Sequence, residues 1–330
     1  MNWNSFINPM RMVFSGGPTR FVMPTLAFEI QPHFVAGARL DSSRHVVRRL
    51  GMRELEANTV APLPNGPNIA NLENLRLALR GVSEVIGNGG GRLGLLLPDG
   101  SVRTAILSFE TLPDDPRQVD TLVRWRMKEY LAYPSDEAKV SYQILWRDAG
   151  GVGVMVLAAK QSLLAEYTDA LGLKNGGPEL ILPATAALLP LLPDADQLLV
   201  HVCSGWVTTT VTAARRLALW RTKAVDGLPD DLANQVGAEV TRVLASCRDH
   251  LHVEPEKVWL CARGTGVSPV SGHGQDAHTP ELAPILAGLI SKEVTPLASE
   301  PKWAEALPAA EQTVFQSVGA PFAGLLANAR

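Results

Sequence analysis

TLAFEIQPHFVAGARL, residues 25–40, alternates apolar with small or polar side chains on both sides of Gln31-Pro32-His33. That is the pattern of two strands joined by a tight turn. LLVHVCSGWVTTTVTA, residues 198–213, carries the same pattern around Ser204-Gly205. Each pair has a candidate third strand behind it, residues 44–53 in the first case and 217–222 in the second. A three-stranded opening that occurs twice predicts an internal duplication, with one copy in each half of the chain.

Between the copies, residues 58–68 hold three prolines and one glycine and read as loop. Residues 69–86 then place Leu72, Leu75, Leu77, Leu79, Val82 and Ile86 at roughly helical spacing, and the glycines of residues 87–91 stop the helix. Residues 93–97 read as a short buried strand that ends at Pro98-Asp99-Gly100, with residues 102–109 as its antiparallel successor. Residues 114–131 form an amphipathic helix whose Val119, Leu122, Val123, Met127 and Tyr130 share one face. Strands at 140–146 and 151–158 and a helix at 161–171 complete a compact alternating unit. After the second hairpin, a helix at 230–248 leads to a buried strand at 257–261 and to Gly264 and Gly266. Residues 265–280 are poor in large apolar side chains and read as a mobile loop whose removal leaves the fold intact. Helices at 282–290, 309–318 and 322–328 follow.

The 330 residues are 46% hydrophobic, enough for one large core or two linked cores. With 19% charged residues and a formal net charge of −3, no overall positive field points to nucleic acid or to anionic lipid. Cys203, Cys247 and Cys261 lack the paired spacing of a zinc ribbon or redox motif and read as buried small hydrophobes in a reducing compartment. The longest apolar run, residues 180–192, is interrupted by Pro183 and Pro190, so no membrane helix is expected there. Residues 1–21 read as a leader or a weak amphipathic arm.

No Gly-x-Ser-x-Gly elbow, Walker loop or His-Glu-x-x-His occurs. His273 and His278 with Asp276 between them could chelate zinc, but a glycine- and serine-rich segment supplies no supporting shell, and a solvated loop is the reading. Arg44, Arg48, Arg49 and Arg53 make a basic edge. Trp125 and Tyr142 are assigned to a core, while Tyr130 and Tyr133, at a helix end and before Pro134, are candidates for contact with a partner.

The order Leu95-Leu96-Leu97-Pro98-Asp99-Gly100-Ser101-Val102-Arg103, Leu112-Pro113, Val123-Arg124-Trp125, Tyr130-Leu131-Ala132-Tyr133-Pro134 and Val140-Ser141-Tyr142-Gln143-Ile144-Leu145 resembles the PilM family of type IV pilus assembly. The resemblance extends over residues 28–171 and more loosely from 198 to the end. It implies an α/β, actin-like (ASKHA) two-lobed fold with an inserted FtsA/PilM-type α+β subdomain. The division it implies is a leader at 1–21, a first lobe at 22–91 and 176–197, an inserted subdomain at 92–175 and a second lobe at 198–330.

In that superfamily ATP and Mg²⁺ sit between the lobes, and each hairpin turn carries an Asp-hydrophobe-Gly motif for metal and phosphate. The first turn of this chain reads Glu29-Ile30-Gln31-Pro32-His33, where Gln31 replaces the glycine and Pro32 removes an amide donor. The second reads His201-Val202-Cys203-Ser204-Gly205, with an imidazole in place of the carboxylate. Glu29, Gln31, Ser204, Gly205, Thr208, Gly264 and Gly266 are therefore the residues of a degenerate nucleotide site, no catalytic or metal-ligating residue is assigned, and a pseudo-ATPase is expected. The family's partner is the cytoplasmic N-terminus of PilN, a bitopic inner-membrane protein, which makes the expected location cytoplasmic and peripheral to the inner membrane, beside other platform and motor components. Leu97, Tyr130 and Tyr133 are the candidate contacts. An active ATPase or metabolite kinase of the same fold is the alternative. A secretion component such as the cytoplasmic part of GspL would continue into a membrane helix, which this sequence lacks.

Overall fold

A computed structural model describes residues 23–87, 90–173, 177–214, 216–225, 229–263, 278–297 and 300–328. In chain order the elements are β1 (Leu26–Ile30), β2 (Phe34–Asp41), β3 (Val46–Glu54), α1 (Leu72–Ile86), β4 (Leu93–Leu97), β5 (Arg103–Phe109), α2 (Pro116–Met127), β6 (Ala138–Asp148), β7 (Gly151–Lys160) and α3 (Gln161–Ala170). They continue with β8 (Leu180–Pro183), α4 (Ala184–Leu188), β9 (Gln197–Cys203), β10 (Trp206–Ala213), β11 (Arg216–Ala224), α5 (Pro229–Ser246), β12 (Lys257–Arg263), α6 (His278–Ile290), β13 (Val294–Pro296), α7 (Ala309–Val318) and α8 (Ala320–Ala327).

Two five-stranded sheets share one topology, β3-β2-β1-β4-β8 and β11-β10-β9-β12-β13. Each is an antiparallel meander extended by two parallel strands, so the duplication read in the sequence is present in the fold. The two hairpins close differently. Ser204 and Gly205 take φ of 50° and 80°, the paired left-handed conformations of a two-residue hairpin. The longer first turn is closed by the Gln31 amide on the Phe34 carbonyl at 2.9 Å.

Helix α1 is capped by the Asn71 side chain, which accepts from the Asn74 amide, and it ends at Gly87 with φ of 84°. Its Leu75, Leu79, Val82 and Ile86 are buried, each contributing about 1.5–3 kcal/mol by leaving water. A third sheet, β5-β7-β6, carries α2 on one face through Val119, Val123 and Met127. Trp125, two residues past Val123 and hence on the far side of α2, is 56% exposed, so its assignment to a core is corrected. Tyr142 is half-buried and packs against that core.

The antiparallel hairpin read for residues 93–109 is also corrected. Strand β4 lies parallel between β1 and β8, buried along its whole length, while β5 pairs with β7. The turn at Asp99–Ser101 therefore carries the chain from the first sheet to the inserted one. Strand β8 and α4, undivided in the apolar run 180–192, complete the first sheet and start a helix beneath it. Helix α8 returns to the first sheet and crosses α4 so closely that a Cβ on Gly324 would lie 1.7 Å from the Ala187 carbonyl oxygen.

The second sheet buries Leu198, Val200, Val202, Val258, Leu260 and Ala262 against α5 and α6. Its other face contributes Leu199, Cys203, Leu217, Trp220 and Cys261 to a core continuous with the first lobe. Period-two alternation along β9 and β12 thus turns His201 and Arg263 away from the α5–α6 core and toward the first lobe.

Candidate functional site

At the junction of the two sheets four charged or ionisable side chains, all nearly inaccessible, form one chain of contacts. Glu29 near the end of β1 is 0% exposed, His201 in β9 1%, Arg263 at the end of β12 5%, and Asp99 after β4 7%. Arg263 donates from one terminal nitrogen to Glu29 Oε2 at 2.7 Å and from the other to His201 Nε2 at 3.0 Å. Gln31 Nε2 donates to the remaining Glu29 oxygen at 2.9 Å. His201 Nδ1 lies 2.6 Å from Thr185 Oγ1 and 3.0 Å from Asp99 Oδ2. Asp99 also accepts from the Thr185 amide at 3.0 Å, the Thr185 hydroxyl at 2.5 Å and the Thr208 hydroxyl at 3.1 Å.

Donor accounting fixes the protons. A guanidinium only donates, so His201 Nε2 accepts, and the imidazole proton sits on Nδ1 facing Asp99 and Thr185. Glu29 is balanced by the Arg263 charge; Asp99 is balanced by four hydrogen bonds. Burial pushes the Asp99 carboxyl up, yet hydrogen bonding by His201 and Thr185 outweighs it and holds the group below the usual carboxylate range. For Arg263 the cost of burial is outweighed by Glu29, which keeps the guanidinium charged. Arg263 Nε is buried with no hydrogen-bond partner among the described residues.

The sheets approach each other closely around this network. A Cβ on Gly100 would lie 2.2 Å from the indole ring of Trp206, so only glycine lets the turn after β4 meet the start of β10. On its other side that turn is held by Ser101, whose hydroxyl donates to Asn68 Oδ1 at 2.6 Å, with Tyr167 donating to the same oxygen at 3.2 Å.

Of the residues singled out in the sequence, Glu29, Gln31 and Thr208 enter the network. Ser204 is buried at the hairpin tip and Gly205 is exposed beside it. Gly264, Gly266 and residues 265–277 of the loop read at 265–280 lie outside the described residues, as does the leader, while residues 278–280 are corrected: they open helix α6. His273 and Asp276 fall there too, and among the described residues no group of His, Cys, Asp and Glu could hold a metal ion. Leu97 is corrected: it is 0% exposed in the middle of the first sheet and belongs to the core. Tyr130 is 45% exposed and Tyr133 half-buried. The basic edge is largely paired, Arg48 with Asp41 at 2.8 Å and Arg49 with Glu311 at 2.9 Å.

Four residues of the network, Asp99, Thr185, His201 and Arg263, were not assigned to a site from sequence, although His201 was noted where a carboxylate would be. An arginine closing the buried strand KVWLCAR and an aspartate closing the buried strand LGLLL were the available signals, since a charge at the end of an apolar strand needs a partner.

The resemblance to the actin-like superfamily implies Mg²⁺ and ATP between such lobes, and the residues present do not fit the metal. Each Glu29 oxygen already accepts a bond, Asp99 already accepts four, and a divalent cation would have to sit beside a fixed guanidinium. Two of the first turn's three residues offer no amide, because Pro32 has none and that of Gln31 is bonded to Phe34.

No family model matches the sequence, and no curated protein matches it. Among solved structures, a chain of a PilM-PilN type IV pilus biogenesis complex superposes with a TM-score of 0.70 at 18% sequence identity, over 92% of this chain and 97% of that one. The fold is actin-like. Fainter likenesses are to a Bacteroides thetaiotaomicron protein with actin-like ATPase fold and unknown function (TM-score 0.49, 11% identity, 86% of this chain and 95% of that one). A third is to the cytoplasmic domain of EpsL, an inner-membrane component of the type II secretion system of Vibrio cholerae (0.45, 9%, 80% and 93%). Among the described residues no helix is long and apolar enough to cross a membrane.

Proposed function

We propose that this chain is a PilM-like component of the inner-membrane assembly platform of a type IV pilus or a related secretion machine. In this reading it lies on the cytoplasmic side, peripheral to the membrane, and holds the N-terminal cytoplasmic segment of a PilN-like bitopic protein without turning over ATP. The likeness to a chain of a PilM-PilN complex over nearly the full length of both chains carries the reading. The filled cleft agrees with a protein that binds and does not hydrolyse.

The segment is proposed to dock where the inserted sheet meets the first lobe, at the end of α2. There the Tyr133 hydroxyl and Arg103 Nε are buried with no hydrogen-bond partner among the described residues. Burial pushes the Tyr133 phenol up to about 12, so it remains a donor at neutral pH. Two unpaired donors side by side are what carbonyls of an extended peptide would satisfy, with exposed Tyr130 supplying apolar contact.

The test is titration of a fluorescein-labelled peptide made from the cytoplasmic N-terminus of the same cells' PilN-like protein. Saturable binding, weakened about tenfold or more by Tyr133→Asp and unchanged by Leu289→Ser on α6, is the expected result. No binding at high micromolar peptide by folded protein would overturn the partner assignment. Magnesium-dependent phosphate release above a protein-free control, abolished by Glu29→Ala, would instead favour an active ATPase or metabolite kinase.

A further inference from the structure

We propose that Arg263 is a built-in cation of the interlobe cleft, a permanent substitute for a bound metal and nucleotide that latches the two lobes closed. The disagreement between the fold's usual ligand and the residues present is its starting point. Glu29 belongs to the first sheet and Arg263 to the second, so their 2.7 Å contact crosses the junction, and the His201–Asp99 contact crosses it again. A planar guanidinium serves Glu29 and His201 at once from two separate nitrogens of a rigid fork, whereas a lysine would have to reach both from a single nitrogen. The cation is covalently part of the second lobe and fully buried, so closure needs no ligand and cannot be released by its departure.

The three free cysteines report on the latch. Cys203 and Cys261 are 5% and 4% exposed in the core shared by the two lobes, and Cys261 is two residues from Arg263. Cys247 is 0% exposed in the separate core beneath the second sheet. Opening the lobes uncovers the first two and leaves the third covered, whereas global unfolding uncovers all three.

The experiment is native-state labelling of the full chain with N-ethylmaleimide, with each cysteine followed by peptide mass spectrometry. In Arg263→Met, which keeps volume and strands Glu29, Cys203 and Cys261 should label about a hundredfold faster while Cys247 stays at its wild-type rate. Glu29→Gln, a milder change that decides the matter if Arg263→Met does not fold, should speed the same two cysteines about tenfold. Magnesium with ATP should leave the wild-type rates unchanged. Acceleration of all three cysteines together, acceleration of none, or protection of Cys203 and Cys261 in the wild type by magnesium and ATP would each overturn the proposal.

Discussion

Replacing Gly100 by alanine puts one methyl group into the contact between the lobes. The added Cβ would lie 2.2 Å from the Trp206 ring, whereas ordinary contact begins near 3.4 Å, so something must move by about 1.2 Å. The turn cannot retreat easily. Asp99 is tied to Thr185, Thr208 and His201 on one side of Gly100, and Ser101 to Asn68 on the other. The Trp206 ring is therefore the part that gives way, and β10, paired to β9 and β11, resists its displacement. Overpacking of this kind costs roughly 1–3 kcal/mol. Relief should come from the partner: in Gly100→Ala with Trp206→Ala the methyl has room, and the two costs should fall short of additivity by at least about 1 kcal/mol. Urea unfolding followed by circular dichroism measures all four corners of the cycle. A Gly100→Ala protein within about 0.5 kcal/mol of wild type, or strictly additive costs, would refute the idea that this glycine is needed for the approach of the lobes.

Two further outcomes follow from the electrostatics. The Asp99 carboxyl is depressed in the folded state, so its stabilisation is present above the unfolded value near 4 and is lost as pH falls through the lower folded value. Asp99→Asn should flatten the acid limb of a stability-versus-pH curve, measured by thermal melts between about pH 2 and 6, and an unchanged limb would contradict the assignment. Arg216→Ala should matter far less: its bond to Asp148 and its stacking over Trp146 at 5.9 Å link the second sheet to the inserted one, but both charges are about a third exposed. A loss above about 1 kcal/mol in the same denaturation assay would show that this link does more than a surface ion pair does.

The duplicated hairpins were legible because their strands alternate and their turns hold residues that strands avoid, and the two sheets followed from them. Strand β4 was found but mispaired. A strand buried on both faces carries no alternation, and Pro98-Asp99-Gly100 looks like a hairpin turn while it actually conducts the chain into another sheet. Strand β8 and α4 share one apolar run, in which four strand residues and five helical ones give no period to read. At the site, the departures Gln31, Pro32 and His201 were visible as missing chemistry. What replaced that chemistry was not, because Arg263 lies 234 residues from Glu29 and nothing local marks the pairing.

The proposed replacement of a ligand by an internal ion pair would change what the cleft can do. A cleft closed by a diffusible ligand has a free energy of closure that depends on ligand concentration, and its state can be reset. A cleft closed by Arg263, Glu29, His201 and Asp99 has one set by the chain itself, and separating the partners would leave desolvated charges facing each other without compensation. Burying such a network is not the cheapest route to stability, since apolar side chains of equal volume often serve as well or better. Its distinctive property is geometric: directional hydrogen bonds join Glu29 to Arg263, Arg263 to His201 and His201 to Asp99 across the junction, which favours a single register of the lobes. For a protein proposed to present a docking groove to a membrane partner, that fixed register holds the inserted sheet, and the Tyr133 donor on it, in one position relative to the first lobe. On the proposal that Arg263 takes the place of a ligand in the cleft, regulation of such a platform would act at the groove, through the availability of the partner segment.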